Sequence, residues 1–142
     1  MPTATVRWVK DRQFVGTDEG GHSVVLSGDD RQTGVRPSQM LLVALASCTA
    51  VDVVEILEKK RKPLSRLDIV ITGENDPEPP WAYRTIHVTY RLAGSNLTEK
   101  AVSHAIALSE EKYCSVAATV RGVARITTDF EIIPENRSAD TQ

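Results

Sequence analysis

The chain has 142 residues, 41% of them hydrophobic and 25% charged, which is the size and composition of one globular domain with its own core. A formal net charge of −2 argues against nucleic-acid binding, which normally requires a clustered basic surface. Charged residues interrupt the N-terminus before any apolar run develops, so we expect no export signal and interpret the two cysteines as cytoplasmic thiols.

Residues 3–27 predict three short strands. Apolar and polar residues alternate there, and the strands are separated by the charged turn Lys10–Arg12 and by the pair Gly20 and Gly21. Such close spacing favours an antiparallel meander. Residues 28–36 have the glycines and polar residues of a loop.

A long helix is predicted over residues 37–61. Pro37 suits the first turn of a helix, and the basic run Lys59–Lys62 suits the negative end of the helix dipole. Pro63 then stops the helix, because proline cannot continue the hydrogen-bond ladder.

The apolar character of this helix creates a packing problem. From Met40 to Val51 nearly every residue is apolar or small, and a helix without a polar face must be covered on all sides. A membrane span is the competing interpretation, but Asp52 and Glu55 follow an apolar run that is shorter than the roughly 20 residues needed to cross a bilayer. We therefore expect no membrane attachment. Because a few short strands cover such a helix poorly, we expect a second copy of the chain to complete an obligate homodimer.

Period-two alternation returns after the long helix and predicts two more strands. The first runs through Leu67–Ile71 and the second through Ile86–Leu92, with a proline-rich connection at residues 75–80 between them. Their spacing favours a hairpin.

The last third of the chain predicts two helices and a strand. Thr98 is a candidate N-cap for a helix whose apolar stripe reaches Ser109. Ser115 is a candidate cap for a short helix that ends at Arg121. Residues 123–133 alternate as a final strand.

Strands and helices do not alternate regularly in this order, which predicts an α+β fold rather than a doubly wound parallel sheet. We expect antiparallel sheets wrapped around the long central helix. These elements form a single predicted domain over residues 1–134, followed by a polar tail at residues 135–142.

The two cysteines, Cys48 and Cys114, are the main candidates for chemistry. A buried cysteine often only packs, so the residues alone leave that interpretation open. The alternative is a redox pair, in which one thiolate attacks an oxidant and the other resolves the sulfenic acid as a disulfide. Neither cysteine belongs to a Cys-x-x-Cys motif of the disulfide oxidoreductases.

Metal and cofactor chemistry has little support in the sequence. The histidines, His22, His87 and His104, do not combine with the cysteines at any spacing typical of a zinc site. We predict no metal and no cofactor.

Two motifs carry a resemblance to a known family. The run RPSQMLLVALASCTAVDVVEILEKKRKPL, followed by SEEKYCSVAATVR, closely resembles the OsmC/Ohr family of osmotically inducible and organic-hydroperoxide-resistance proteins. The likeness extends over about residues 3–134. It is greatest to the OsmC-related subgroup of less characterised members.

The resemblance implies an OsmC-like fold, in which two chains intertwine as a homodimer with two active sites at their interface. It also implies a cysteine-based peroxidase that reduces hydrophobic organic hydroperoxides and is recycled by a small or protein dithiol. By position, Cys48 is then the peroxidatic cysteine and Cys114 the resolving one. The alternative function is a non-enzymatic dimer that binds an apolar ligand or senses oxidants through the same thiols.

The founding branches of the family place an arginine and a glutamate beside the reactive sulfur. The nearest helix-start matches to that glutamate, Ser38 and Gln39, are uncharged. The arginine has three candidates, which are Arg12, Arg31 and Arg36, and Arg36 is preferred because it adjoins the helix start.

Further residues are predicted to line or activate the site. Asp52 lies at i+4 from Cys48 and shares its helix face, where an ionised carboxylate raises a thiol pKa. Glu110 and Glu111 precede Cys114, where they form a solvated pair at the helix end or supply an acid to the site. The site-lining set is therefore Arg36, Gln39, Asp52 and Glu111.

Overall fold

The computed structural model describes residues 1–28 and 33–135 and confirms the α+β class, with two three-stranded sheets and one long helix between them in the chain. Its residues form two compact units that divide after Leu41, and each is described separately below. The single domain over residues 1–134 stays a prediction. The predicted tail, from residue 136 onward, and Arg31 lie outside the described residues.

The first unit contains the predicted meander. Its strands are β1 (Ala4–Lys10), β2 (Gln13–Asp18) and β3 (Ser23–Ser27), and each pairs antiparallel with the next. Every residue of β1 is exposed in the single chain, including Val6 and Trp8. An apolar strand left open in this way is typical of an interaction surface.

The long helix α1 begins at Pro37, as predicted, and ends at Lys59, two residues before the predicted end. Its buried residues recur every four positions and form one stripe in the core of the second unit; they are Leu45, Thr49, Val53 and Leu57. Val43 and Val51, away from this stripe, are exposed. The prediction that α1 is covered on all sides is therefore not met within one chain.

Among the described residues, α1 is also the one helix long and apolar enough to cross a membrane, with a mean hydropathy of 2.1 over its most apolar window. Core helices of globular proteins pass the same test. Here the buried stripe of α1 packs against protein side chains of the second unit.

The second unit contains a mixed sheet. Its strands are β4 (Leu64–Asn75), β5 (Tyr83–Gly94) and β6 (Arg125–Ile132), in the order β4-β5-β6. The predicted hairpin of β4 and β5 is confirmed. The expectation of purely antiparallel sheets is wrong, because β6 pairs parallel to β5. A parallel neighbour requires a long crossover, and the helical segment between β5 and β6 supplies it.

That crossover contains α2 (Glu99–Leu108), a single π-helical turn (Ser109–Tyr113) and α3 (Ser115–Val120). Thr98 caps α2 as predicted, since its hydroxyl accepts a 3.1 Å hydrogen bond from the Ala101 N–H. The predicted cap of α3 is wrong by one residue. Cys114 is the N-cap, and its sulfur accepts a 3.3 Å hydrogen bond from the Ala117 N–H.

The core of the second unit lies between the α1 stripe, α2 and the inward face of β5. The β5 side chains that enter it alternate along the strand and are Ile86, Val88, Tyr90 and Leu92. Cys114 belongs to this core, and Cys48 packs against it. The fold therefore brings both thiols to one apolar cluster.

Candidate functional site

The two cysteines meet in the second unit. Cys48 is half-buried in α1, whereas Cys114, between the π-helical turn and α3, is only 2% exposed. Their side chains are hydrogen-bonded to each other, and both sulfurs are free thiols. Two thiols that interact with each other are suited to thiol–disulfide chemistry.

The thiol of Cys114 holds its proton more tightly than an ordinary thiol. Burial raises the pKa of Cys114 to about 11, and the hydrogen bond to Cys48 and the negative charge of a Cys48 thiolate add to the rise. The N–H groups of Ala117 and Val116 oppose it. Cys114 is therefore the hydrogen-bond donor, and Cys48 is the more accessible sulfur of the pair.

Asp52 lies one turn beyond Cys48 on α1 and is half-buried. Its carboxylate accepts a 2.8 Å hydrogen bond from the Ser109 hydroxyl, which is completely buried. No sequence pattern indicated this partner, because Ser109 only ended the apolar stripe of α2. The bond joins α1 to the first residue of the π-helical turn that leads to Cys114.

Glu110 is a second acid beside this cluster. Glu111, the predicted site-lining residue, is exposed, whereas Glu110 is half-buried. Burial raises the pKa of Glu110, Arg121 opposes the rise, and the charge of Glu111 adds to it. The Arg121 guanidinium also donates a hydrogen bond to the Glu110 carbonyl oxygen.

Tyr90 is a member of the cluster that sequence reasoning missed. Burial raises its pKa to about 12, the nearby Thr49 hydroxyl opposes the rise, and negative charges on Glu110, Cys114 and Asp52 add to it. These interactions place the phenol among the site residues. The alternation of β5 predicted that residue 90 faces inward, but it gave no reason to assign a polar role to the hydroxyl.

A surface groove of about 560 Å³ adjoins the cluster. Its wall combines apolar and charged side chains, which are Ile56, Leu108 and Tyr113 on the one hand and Asp52, Glu55, Lys59 and Lys60 on the other. A groove of this volume and character is suited to a small, partly apolar molecule.

The predicted activating residues of the first unit are not assigned to the site. Gln39 is exposed, Arg36 is half-buried, and the Arg12 guanidinium donates to the Asp11 carbonyl oxygen. Their contribution to thiol chemistry stays a prediction. In the part of the chain that the structure describes, no group of three or more His, Cys, Asp or Glu residues is arranged to hold a metal ion.

Comparison with known proteins gives consistent results. The family described as OsmC-like protein matches residues 28–129. The protein YhfA of Escherichia coli K12 is 34% identical over 130 residues, covering 92% of this chain and 97% of that protein.

Solved structures show the same fold. A hypothetical protein from Aquifex aeolicus VF5 superposes with a TM-score of 0.86 at 29% identity, covering 96% of this chain and 98% of that one. The organic hydroperoxide resistance protein OhrB of Bacillus subtilis superposes with a TM-score of 0.62 at 16% identity, covering 92% and 98% of the respective chains.

Proposed function

Because the chain belongs to the OsmC-like protein family, which is linked to defence against peroxides, we propose that it is a thiol-dependent peroxidase that reduces organic hydroperoxides. The hydrogen-bonded pair Cys48 and Cys114 is the observation that carries this proposal. A thiol peroxidase needs one accessible sulfur to attack the peroxide and a second thiol within disulfide reach. The greater exposure of Cys48 and its interaction with Cys114 support this assignment.

The proposed cycle has three steps. The Cys48 thiolate attacks the terminal peroxide oxygen, the O–O bond breaks, and the alcohol leaves with a proton while Cys48 becomes a sulfenic acid. The Cys114 sulfur then attacks the Cys48 sulfur, and the hydroxyl leaves as water with the Cys114 proton. A dithiol finally reduces the disulfide and is itself oxidised to a disulfide.

The apolar core cluster that contains Cys114 and packs against Cys48 supports an apolar substrate. The groove beside Asp52 has charged residues in its wall, and its apolar ones, Ile56, Leu108 and Tyr113, suit the organic part of a hydroperoxide. We therefore include hydrophobic hydroperoxides in the proposal and expect hydrogen peroxide to be a poorer substrate. A small or protein dithiol is the proposed reductant, and a reducing cytoplasm is the proposed location.

The proposal includes a homodimer. Val43 and Val51 on α1, and Val6 and Trp8 on β1, are apolar and exposed in the single chain. Burial of these side chains against a second copy would remove apolar surface from water, which favours association.

The test is consumption of cumene hydroperoxide with a dithiol, measured for the wild type, Cys48→Ser and Cys114→Ser. We expect Cys48→Ser to be inactive. We expect Cys114→Ser to react once and retain a sulfenic acid that dimedone traps. Equal rates for wild type and Cys48→Ser would overturn the proposal.

Redox sensing is a second candidate, favoured by the buried Cys114 thiol. Because its pKa is raised to about 11, Cys114 gives up its proton reluctantly and would resolve the sulfenic acid slowly. Stoichiometric disulfide formation without sustained turnover would support this candidate over the peroxidase.

A further inference from the structure

Tyr90 has a buried hydroxyl that lacks a hydrogen-bond partner. The residue is completely buried, and its phenol oxygen makes no hydrogen bond within residues 1–28 and 33–135. The nearby Thr49 hydroxyl affects the pKa of Tyr90, but it donates its proton to the Ala46 carbonyl oxygen at 3.0 Å. Burial of an unpaired hydroxyl is unfavourable, and phenylalanine would fill the same space without that penalty.

The surroundings of the phenol suggest what it is for. Its three electrostatic neighbours are Glu110, Asp52 and Cys114, all of which are neutral or negative and none of which can be positive. The Asp52 carboxylate is already bonded to Ser109. Cys114 is the neighbour that must acquire negative charge during the proposed reaction.

From this arrangement we infer that the Tyr90 phenol donates a hydrogen bond to the Cys114 sulfur as that thiol loses its proton to resolve the Cys48 sulfenic acid. The inference rests on the proposed function and deepens it. Hydrogen bonds to a charged acceptor are stronger than those to a neutral one, so the donor would favour the thiolate over the thiol. The raised pKa of Tyr90, about 12, keeps the phenol protonated and able to donate.

The backbone before Cys114 provides a place for the adjustment that this bond needs. Residues 109–113 form a single π-helical turn, closed by a 2.7 Å hydrogen bond from the Cys114 N–H to the Ser109 carbonyl oxygen. Such turns are less regular than α-helix and occur frequently at functional sites. A small change in this turn would move Cys114 relative to Tyr90, which is held in the middle of β5.

Tyr90→Phe is the first test, with Tyr83→Phe at the start of β5 as the matched control. After one equivalent of cumene hydroperoxide, the lifetime of the Cys48 sulfenic acid is measured by dimedone trapping and mass spectrometry. We expect Tyr90→Phe to lengthen this lifetime by about tenfold or more, the effect of losing one hydrogen bond to a charged group. We expect its melting temperature to be unchanged or higher, because an unpaired hydroxyl has been removed.

A second measurement does not depend on peroxidase activity. In Cys48→Ser protein, Cys114 is the single cysteine, and its ionisation can be followed by NMR of isotopically labelled cysteine. We expect Tyr90→Phe to raise the pH at which Cys114 ionises. Fluorotyrosine placed at position 90 should lower it, since a more acidic phenol is a stronger donor, and this variant serves if Tyr90→Phe folds poorly.

The outcomes separate the two proposals. A wild type that forms no Cys48 sulfenic acid overturns the proposed function, while the Cys114 titration still tests Tyr90. The role of Tyr90 is overturned by a different result. In that result the wild type turns over, and the Tyr90 variants resolve the sulfenic acid at the wild-type rate and ionise Cys114 at the wild-type pH.

Discussion

Ser109 donates a 2.8 Å hydrogen bond to the carboxylate of Asp52, across 57 residues of sequence. The donor is completely buried, and the acceptor lies one turn beyond Cys48 on α1. The bond therefore fixes the start of the π-helical turn relative to the helix that carries the reactive sulfur. It thereby fixes the segments that carry Cys48 and Cys114 relative to each other.

Ser109→Ala should be destabilising because it leaves a half-buried carboxylate without this donor. The expected loss is about 1–3 kcal/mol in the free energy of unfolding. Urea denaturation at a fixed protein concentration measures it. Ser103→Ala is the matched control, since Ser103 is exposed on α2 and its replacement should change stability by less than about 0.5 kcal/mol. Equal losses in the two variants would contradict this assignment.

The raised pKa of Cys114 predicts a loss of stability in alkali. Its value is about 11 in the folded chain against an ordinary 9.0, so between these values the unfolded thiol ionises while the folded one does not. Ionisation of the unfolded state alone favours unfolding as pH rises through this range. The melting temperature should fall less steeply over that range in Cys114→Ser. Part of the fall should remain, because the pKa of Tyr90 is also raised, from 10.0 to about 12. A Cys114→Ser variant whose melting temperature falls as steeply as that of the wild type would contradict the prediction.

Glu110 and Glu111 provide a comparison of adjacent acids. Burial raises the pKa of Glu110, so its contribution to stability is complete below its unfolded value of 4.5 and is lost as pH rises through the folded value. Glu110→Gln should therefore gain stability relative to the wild type at neutral pH, and this gain should shrink at acidic pH. Glu111→Gln, at an exposed position, should show a smaller effect of the same sign, because it removes only the charge that adds to the rise in the pKa of Glu110. Chemical denaturation at two pH values distinguishes them.

The different burial of Glu110 and Glu111 also shows a limit of prediction from the sequence. Helical periodicity correctly predicted α2, and capping chemistry correctly predicted Thr98, because both depend on local backbone geometry. The π-helical turn that follows contains more residues per turn than an α-helix, so the spacing no longer tells which side chain faces inward. The predicted residue, Glu111, is exposed, and its neighbour Glu110 is half-buried.

Features that join distant parts of the chain could not be predicted from local sequence patterns, for a different reason. The alternation of apolar and polar residues in β6 is the same whether this strand runs parallel or antiparallel to β5. Its direction depends on the crossover that connects the two strands. The meeting of Cys48 and Cys114 was expected from family resemblance rather than from spacing. Tyr90 had the pattern of any inward-facing strand residue, and its missing hydrogen-bond partner is visible only once its neighbours are known.

The proposed homodimer is testable with two valines of equal exposure. Val51 on α1 and Val70 on β4 are each 61% exposed in the single chain. Val51 lies on the apolar helix face that we propose a second copy covers, whereas Val70 is flanked on its strand by Asp68 and Thr72, which are also exposed. Val51→Lys should weaken the dimer, and Val70→Lys should not.

The size of the effect follows from symmetry. In a two-fold dimer each substitution occurs twice, and each buried valine contributes about 1.5–3 kcal/mol, so Val51→Lys should raise the dissociation constant by at least about a hundredfold. Sedimentation equilibrium measures this constant for the wild type and both variants. Because association stabilises the folded chain by mass action, the melting temperature of the wild type should also rise with protein concentration. A monomeric wild type, or equal dissociation constants for the two lysine variants, would remove α1 from the interface and leave its apolar face without a partner.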